Sequence, residues 1–225
     1  MDKAFKQVDE PDIGSAFVAF WEGHDHLIID GAFDYADALD LILRRARTHR
    51  AWLDRPVPDD LLRRVYELAA EGPTSANCSP MRVLFVKSRE GKERLRLALT
   101  PGNVDKTMQA PVTAIIGHDS QFYELLPRLF PTADMRANFA GKPELIAATA
   151  FRNGSLQGAY LMIAARALGL DCGAMSGFDN AKVDAAFFPD GRVKSNFLCN
   201  LGYGDASKLP PRPPRLPFAD ACRII

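Results

Sequence analysis

Five short stretches carry more arginine, hydroxyl, amide or glycine than packing requires. "RARTHR" places Arg45, Arg47, Thr48 and Arg50 within six residues at the end of a helical pattern. Three guanidinium groups so placed form a local cationic cluster that an anion site would need, and they also complement the negative end of a helix dipole with no ligand at all. "GPTSANCSPM" sets Thr74, Ser75 and Asn77 between two prolines. Hydroxyls and backbone N–H groups there can form a nest for an anion or a polar ring, or simply serve the turn. "NVDK" puts Asn103 and Lys106 on one helix face, three residues apart, which a solvated face would also explain. "GAMSGF" (173–178) reads as a loop after a buried segment, where Gly177 lets the backbone approach a ligand. Arg212 and Arg215 lie in a proline-rich tail. Taken singly, none of the five decides a function.

Other chemistries find less support. His24-x-His26 could set two imidazoles on one strand face, but no further ligand is near, so a metal site is not expected. Cys78 has polar neighbours but no adjacent base, and reads as a small buried filler rather than a nucleophile. No G-x-G-x-x-G follows a strand, and no G-x-x-x-x-G-K-[ST] occurs, so the usual dinucleotide and triphosphate signatures are missing. Lys208-x-x-Pro211-x-x-Pro214 has the form of a polyproline docking peptide, although an arm wrapping another subunit is simpler.

The elements that must position these residues can be read from periodicity. With 225 residues, 47% apolar and 25% charged, the chain is an ordinary globular one, and Lys+Arg equal Asp+Glu at 28 each. No global field therefore draws nucleic acid or an anionic membrane. Four cysteines without C-x-x-C or metal spacing, no long apolar run and a charged start imply a cytoplasmic protein with reduced thiols. Residues 1–33 read as an N-terminal extension, and 34–225 as one domain. A helix is predicted from Asp34 through Thr48. A second, "PVPDDLLRRVYELAAEGP", carries a stripe of Leu61, Leu62, Val65, Leu68 and Ala69 and stops at Gly72-Pro73. "RVLFVK" (82–87), "VTAIIG" (112–117) and "KSNFLCNLGYG" read as strands, with helices at "GKERLRLAL", "NVDKTMQA" and "AKVDAAFF". Residues 120–142 look helical in pieces, like a lid. "PELIAATAFRNGSLQGAYLMIAARALG" is one long helix, apolar nearly all round in its second half, with Gly154 and Gly158 permitting close approach. The order implies an α+β fold, helices packed on a small sheet.

In this order and register the stretches resemble the nitroreductase family of FMN-dependent oxidoreductases, over about residues 35–222. Within it, "ARTHRAW", "GPTSANCSP", "EGKERLR", "APVTAI", "TAFRN", "RALGLD", "MSGFD", "KSN" and "GYGDASKL" are most similar to the malonic semialdehyde reductase branch of pyrimidine breakdown, the Rut pathway. The resemblance implies a central mixed or antiparallel sheet flanked by helices, in an intertwined homodimer with FMN at the subunit interface. It implies that Arg47, Thr48 and Arg50 hold the phosphate with Arg212 and Arg215 from the tail. It gives Pro73, Thr74, Ser75 and Asn77 one wall of the flavin site, reached in part from the partner subunit. Asn103 and Lys106 are assigned the pyrimidine edge, and Met175, Ser176 and Gly177 the loop near N5 and O4. Three positions depart from the family pattern: Ala46 for a leading arginine, Met81 for an aromatic, and Ser176 for the glutamate of nitro-compound reductases.

The implied activity is ping-pong reduction of a small electrophile by NADPH or NADH through flavin N5, with no separate catalytic side chain. Malonic semialdehyde going to 3-hydroxypropanoate is the specific expectation. Arg128, Arg136 and Arg152 are candidate cations for its carboxylate. The alternatives are a nitroaromatic or quinone reductase of the same fold, and a non-catalytic flavin-binding protein.

Overall fold

The computed structural model of the chain describes residues 35–225, so the readings of the N-terminal extension, the Asp34 cap and the pair His24 and His26 lie outside the described residues. The described residues fall into a short helical unit ending at Arg45 and a body, Ala46–Ile225. In the first unit α1, Tyr35–Leu39, runs into one π-helical turn, Asp40–Arg44. Arg45 Nε donates to Asp40 Oδ2 at 2.8 Å and Arg44 also binds that carboxylate. The predicted helix therefore stops four residues before Thr48, and Arg45 is committed to a carboxylate. The physical reason lies in the body, where the next residues are held extended: Thr48 bridges Cys172 in parallel and His49 N–H donates to the Cys172 carbonyl at 2.9 Å.

In the body, α2 (Asp59–Ala70) begins after Pro58 with Asp59 and Asp60 at its positive end, and buries Leu62, Val65 and Ala69. Leu68, expected in the stripe, is 48% exposed instead. Strands β1 (Met81–Val86) and β2 (Val112–Asp119) flank α3 (Arg89–Arg96) and α4 (Pro101–Gln109). A stretch of short turns then includes α5, Leu126–Leu129. After it come α6 (Pro143–Ala167), β3 (Asp171–Met175), α7 (Asn180–Phe187) and β4 (Val193–Gly202), with a last short helix, α8, at Phe218–Ala221. Residues 173–175 are thus strand rather than loop. The β3 chain pairs with β4 from Asp171↔Gly202 to Met175↔Leu198, so backbone hydrogen bonding to a neighbour decides what its own composition leaves open.

All strand pairs are antiparallel, in the order β1-β2-β4-β3. Alternation along the central strands feeds two cores. Ala114, Ile116, Cys199 and Leu201 pack with α2 and α6 through Leu62, Val65 and Leu161. Ile115 and Leu198 pack the other way with Leu95, Phe178 and Val183. Each such fully buried aliphatic contributes on the order of 1.5–3 kcal/mol. A third cluster, with Cys78, Phe122, Leu126 and Phe139, anchors these turns to the body. Gly154 and Gly158 let α6 lie against the sheet: a Cβ on Gly158 would sit 2.6 Å from the Phe197 ring. That is the packing role their spacing predicted. No described helix is long and apolar enough to cross a membrane.

Candidate functional site

The predicted residues assemble into two walls. The first grows from α4. Its Thr100 and Asn103 reach the turn after β3: Asn103 Nδ2 donates to the Gly177 carbonyl at 2.7 Å, and Thr100 Oγ1 to the same oxygen at 2.9 Å. Asn103 is buried, so the face carrying it is not simply solvated. Gly177 is required for this closeness, because a Cβ there would come 2.5 Å from Asn103 Nδ2. One turn on, Lys106 is half-buried, and its carbonyl accepts from Trp52 Nε1 (3.0 Å) and Asn200 Nδ2 (3.1 Å). Burial, together with the Arg50 charge beside it, pushes the Lys106 ammonium below its usual range. Neither Lys106 nor Arg50 has an ion-pair partner among the described residues. Two like charges held together without a carboxylate form a site suited to an anion or an electron-rich edge.

The extended segment 46–53 lies along this wall. Besides the Thr48 and His49 links, Leu53 N–H donates to the Tyr203 carbonyl, and Asp205 N–H to Ala51. His49 is the rivet: its Nε2 lies 3.3 Å from Asp171 Oδ1, and its ring fills the space where a Cβ of Gly204 would stand, 1.9 Å from Nδ1. Arg47 donates to the Pro210 carbonyl, and Arg212 to Ala46 at 2.7 Å, so the tail crosses the same segment. Thr48 and Arg50 are exposed there, as is Ser176, while Met175 is buried. Arg215 stands apart, donating among the described residues to Pro213 and Pro214 of its own tail.

The second wall is the loop Pro73–Pro80, which α6 holds by its polar residues. Ser75 N–H donates to Asn153 Oδ1 at 2.8 Å, and Met81 N–H to Gln157 Oε1 at 2.9 Å. Thr74 Oγ1 accepts from Ser79 N–H, and Asn77 Nδ2 donates to Leu129. Ala76, Asn77 and Ser79 all take positive φ (49°, 49° and 39°), a conformation worth of order 1–3 kcal/mol of strain per residue. The anchors from α6 sustain it, leaving Pro73, Ser75 and Asn77 facing outward. Cys78 below is fully buried and its thiol is pushed up by that burial, consistent with a filler.

Among the described residues the two walls do not meet. The loop leads into β1 at one sheet edge, whereas the first wall runs beside β3 at the other, about 14 Å away by strand spacing. Residues the sequence did not single out do much of the positioning: Thr100, Trp52, Asn200, His49, Asn153 and Gln157. Asn153 and Gln157 had a readable signal, amides four apart on a helix otherwise buried by apolar residues. No cluster of metal-ligating side chains occurs among the described residues.

A curated relative from Rhodopseudomonas palustris, called an NADH dehydrogenase/NAD(P)H nitroreductase, is 59% identical over 187 residues, 83% of this chain and 95% of its own. One of the same name from Burkholderia lata is 63% identical over 187 residues, 83% of this chain and 96% of its own. Among solved structures, a nitroreductase from Exiguobacterium sibiricum in complex with FMN superposes with a TM-score of 0.74 at 20% identity, covering 87% of this chain and 99% of that one. A Bacillus subtilis nitroreductase gives 0.75 at 19% identity, covering 85% and 100%. The model of the Nitroreductase family matches residues 43–203, and with close relatives along most of its length, the chain belongs to that family.

Proposed function

We propose that the protein is an FMN-dependent NAD(P)H oxidoreductase that reduces a small electrophile, and that it works as a homodimer. The observation carrying this reading is the first wall: an amide locked onto Gly177 beside two cations, Lys106 and Arg50, that have no carboxylate partner among the described residues. Bound flavin supplies two-electron transfer from a nicotinamide to a second substrate; the protein's share is binding, orientation and electrostatics. Arg47, Thr48 and Arg50, with Arg212 and Arg215 from the tail, are suited to the doubly charged phosphate. Asn103 and Lys106 suit the pyrimidine edge, where the lysine favours negative charge. The turn Met175-Ser176-Gly177 offers its backbone beside them. Pro73, Thr74, Ser75 and Asn77 supply the opposite wall, and since they sit at the other sheet edge, a second copy must bring them. The outer face of α6 fits that need: Phe151 and Leu156 are 55% and 46% exposed there, along an apolar groove.

For the substrate we propose malonic semialdehyde, reduced to 3-hydroxypropanoate by net addition of a hydride and a proton. Its carboxylate needs a cation. Arg136 is already paired with Glu124 at 2.7 Å, which leaves Arg128 and Arg152. Arg152 borders the α6 groove. The name shared by the relatives favours a second reading, in which nitroaromatics serve as the oxidant. The test is the visible spectrum of protein desalted after incubation with FMN, then given NADPH or NADH without oxygen. A retained band that bleaches supports the oxidoreductase; retention without bleaching supports a binding protein. Reoxidation rates with the semialdehyde and with a nitroaromatic then separate the substrates.

A further inference from the structure

Behind the first wall lies a buried cation that the reading above does not use. Lys92, on α3, is 4% exposed. Its ammonium donates to the Thr107 carbonyl at 2.8 Å and to Thr113 Oγ1 at 2.6 Å. Thr113 passes the link to Asn200 Oδ1 (2.7 Å), whose amide returns to the Lys106 carbonyl. Thr107 Oγ1 in turn meets Met175 Sδ at 3.5 Å. Lys92 therefore sits one peptide beneath Lys106 and one hydroxyl from the β3 turn. Thr107, Thr113 and Asn200 are fully buried, so the chain of groups is dry.

Apart from Lys106 on α4, the charged groups on the surrounding elements stand clear of it. Asp105 on α4 is exposed, and Asp119 and Lys194 lie at the far ends of β2 and β4. On α7, Lys182 pairs with Asp179, while Asp184 serves Ser195 and Lys194. The other charged residues of α3 itself are exposed. Lys92 has only neutral partners among the described residues, and burial lowers its pKa to about 7. A helix could satisfy its last carbonyls with water or a neutral donor; an unpaired buried ammonium is a costly choice for that task alone.

We propose that Lys92 is a positioning residue for the reduced cofactor: it fixes the end of α4 that aims Asn103 and Lys106, and its charge makes the site hold reduced FMN more tightly than oxidised FMN. The inference rests on the FMN reading. Dissociation constants for oxidised FMN, and for FMN reduced with dithionite under anaerobic conditions, test it in the wild type and in Lys92→Met at pH 6, where Lys92 carries its proton. Lys92→Met should bind oxidised FMN within about threefold of the wild type and lose roughly tenfold in the affinity ratio, equal to about 30 mV in midpoint potential for a two-electron couple. A role in helix capping alone would lower the melting temperature and leave the ratio unchanged, and that result in folded Lys92→Met overturns the proposal. If Lys92→Met does not fold, Thr113→Val removes one acceptor and the link to Asn200. It should shift the ratio at least threefold the same way, and no shift overturns the proposal. A wild type that retains no FMN overturns the cofactor reading and this inference with it; bound FMN with an unchanged ratio overturns this inference alone.

Discussion

Asp119 and Lys92, both buried among the described residues, have opposite surroundings. Asp119, 1% exposed at the end of β2, accepts from Arg192 Nε and Nη2 (2.8 Å each), Arg82 Nη2 (2.7 Å) and the Gln121 N–H (2.8 Å). Burial works against its charge. The hydrogen bonds from Arg192 and Gln121, with the charges of both arginines, outweigh it and hold the carboxyl below its usual range. The triad ties β1, β2 and the approach to β4 at one end of the sheet. Lys92, at the other end, has no counter-ion among the described residues. A fully paired buried charge is explained by the fold it stabilises; one with neutral partners calls for an occupant.

Removing either charge should sharpen the contrast. Asp119→Ala should have the largest effect, a loss of about 3 kcal/mol in urea unfolding, since two arginines lose their shared acceptor. Their partial exposure sets the value at the low end of the usual range, and a loss below about 1 kcal/mol would reduce the triad to a surface pair. Because the folded-state pKa of Asp119 is depressed, its contribution is present above the ordinary carboxylate range near ~4 and is lost as pH falls through the lower folded value.

Lys92 has the reverse sign. Its folded value of about 7 lies below the ~10.4 of an unfolded lysine, so between the two the unfolded chain binds more protons. Stability of the flavin-free protein should therefore rise by about 2 kcal/mol between about pH 7 and pH 9, relative to Lys92→Met measured at the same pH values. Parallel curves for the two proteins would remove the buried charge from the comparison. A smaller effect is expected at Trp52→Phe, which withdraws one of two donors from the Lys106 carbonyl: about 1 kcal/mol, with weaker FMN retention. Smallest is Ala76→Gly, which relieves a left-handed alanine and should gain up to about 1 kcal/mol in chemical denaturation.

What could be read in advance differs between the same regions. β1 and β2 announced themselves through branched apolar runs, and α6 through its length. β3 did not, because "DCGAM" has no β-branched residue; the β4 backbone makes it a strand. The end of α1 does not show in the sequence because "LRRART" keeps good helix formers, while the bond that straightens Thr48 and His49 comes from Cys172, far along the chain. Asn103 and Lys106 were legible as a spaced pair. Lys92 was not, since it sits amid exposed charged residues in "REGKERLR" and only the fold shows which one turns inward. Thr113 and Asn200 were equally silent, two polar residues inside strands whose pairing is known only from the register.

The slot shared by His49 and Gly204 bears on inheritance. One ring and one missing methyl group occupy the same volume, so neither position can drift alone. A larger residue at 204 is survivable only where the imidazole has already gone, and losing the imidazole first would free the segment that carries Arg47, Thr48 and Arg50. A side chain at 204 therefore needs a smaller residue at 49, so a substitution at one position is expected to be rescued by the matching change at the other.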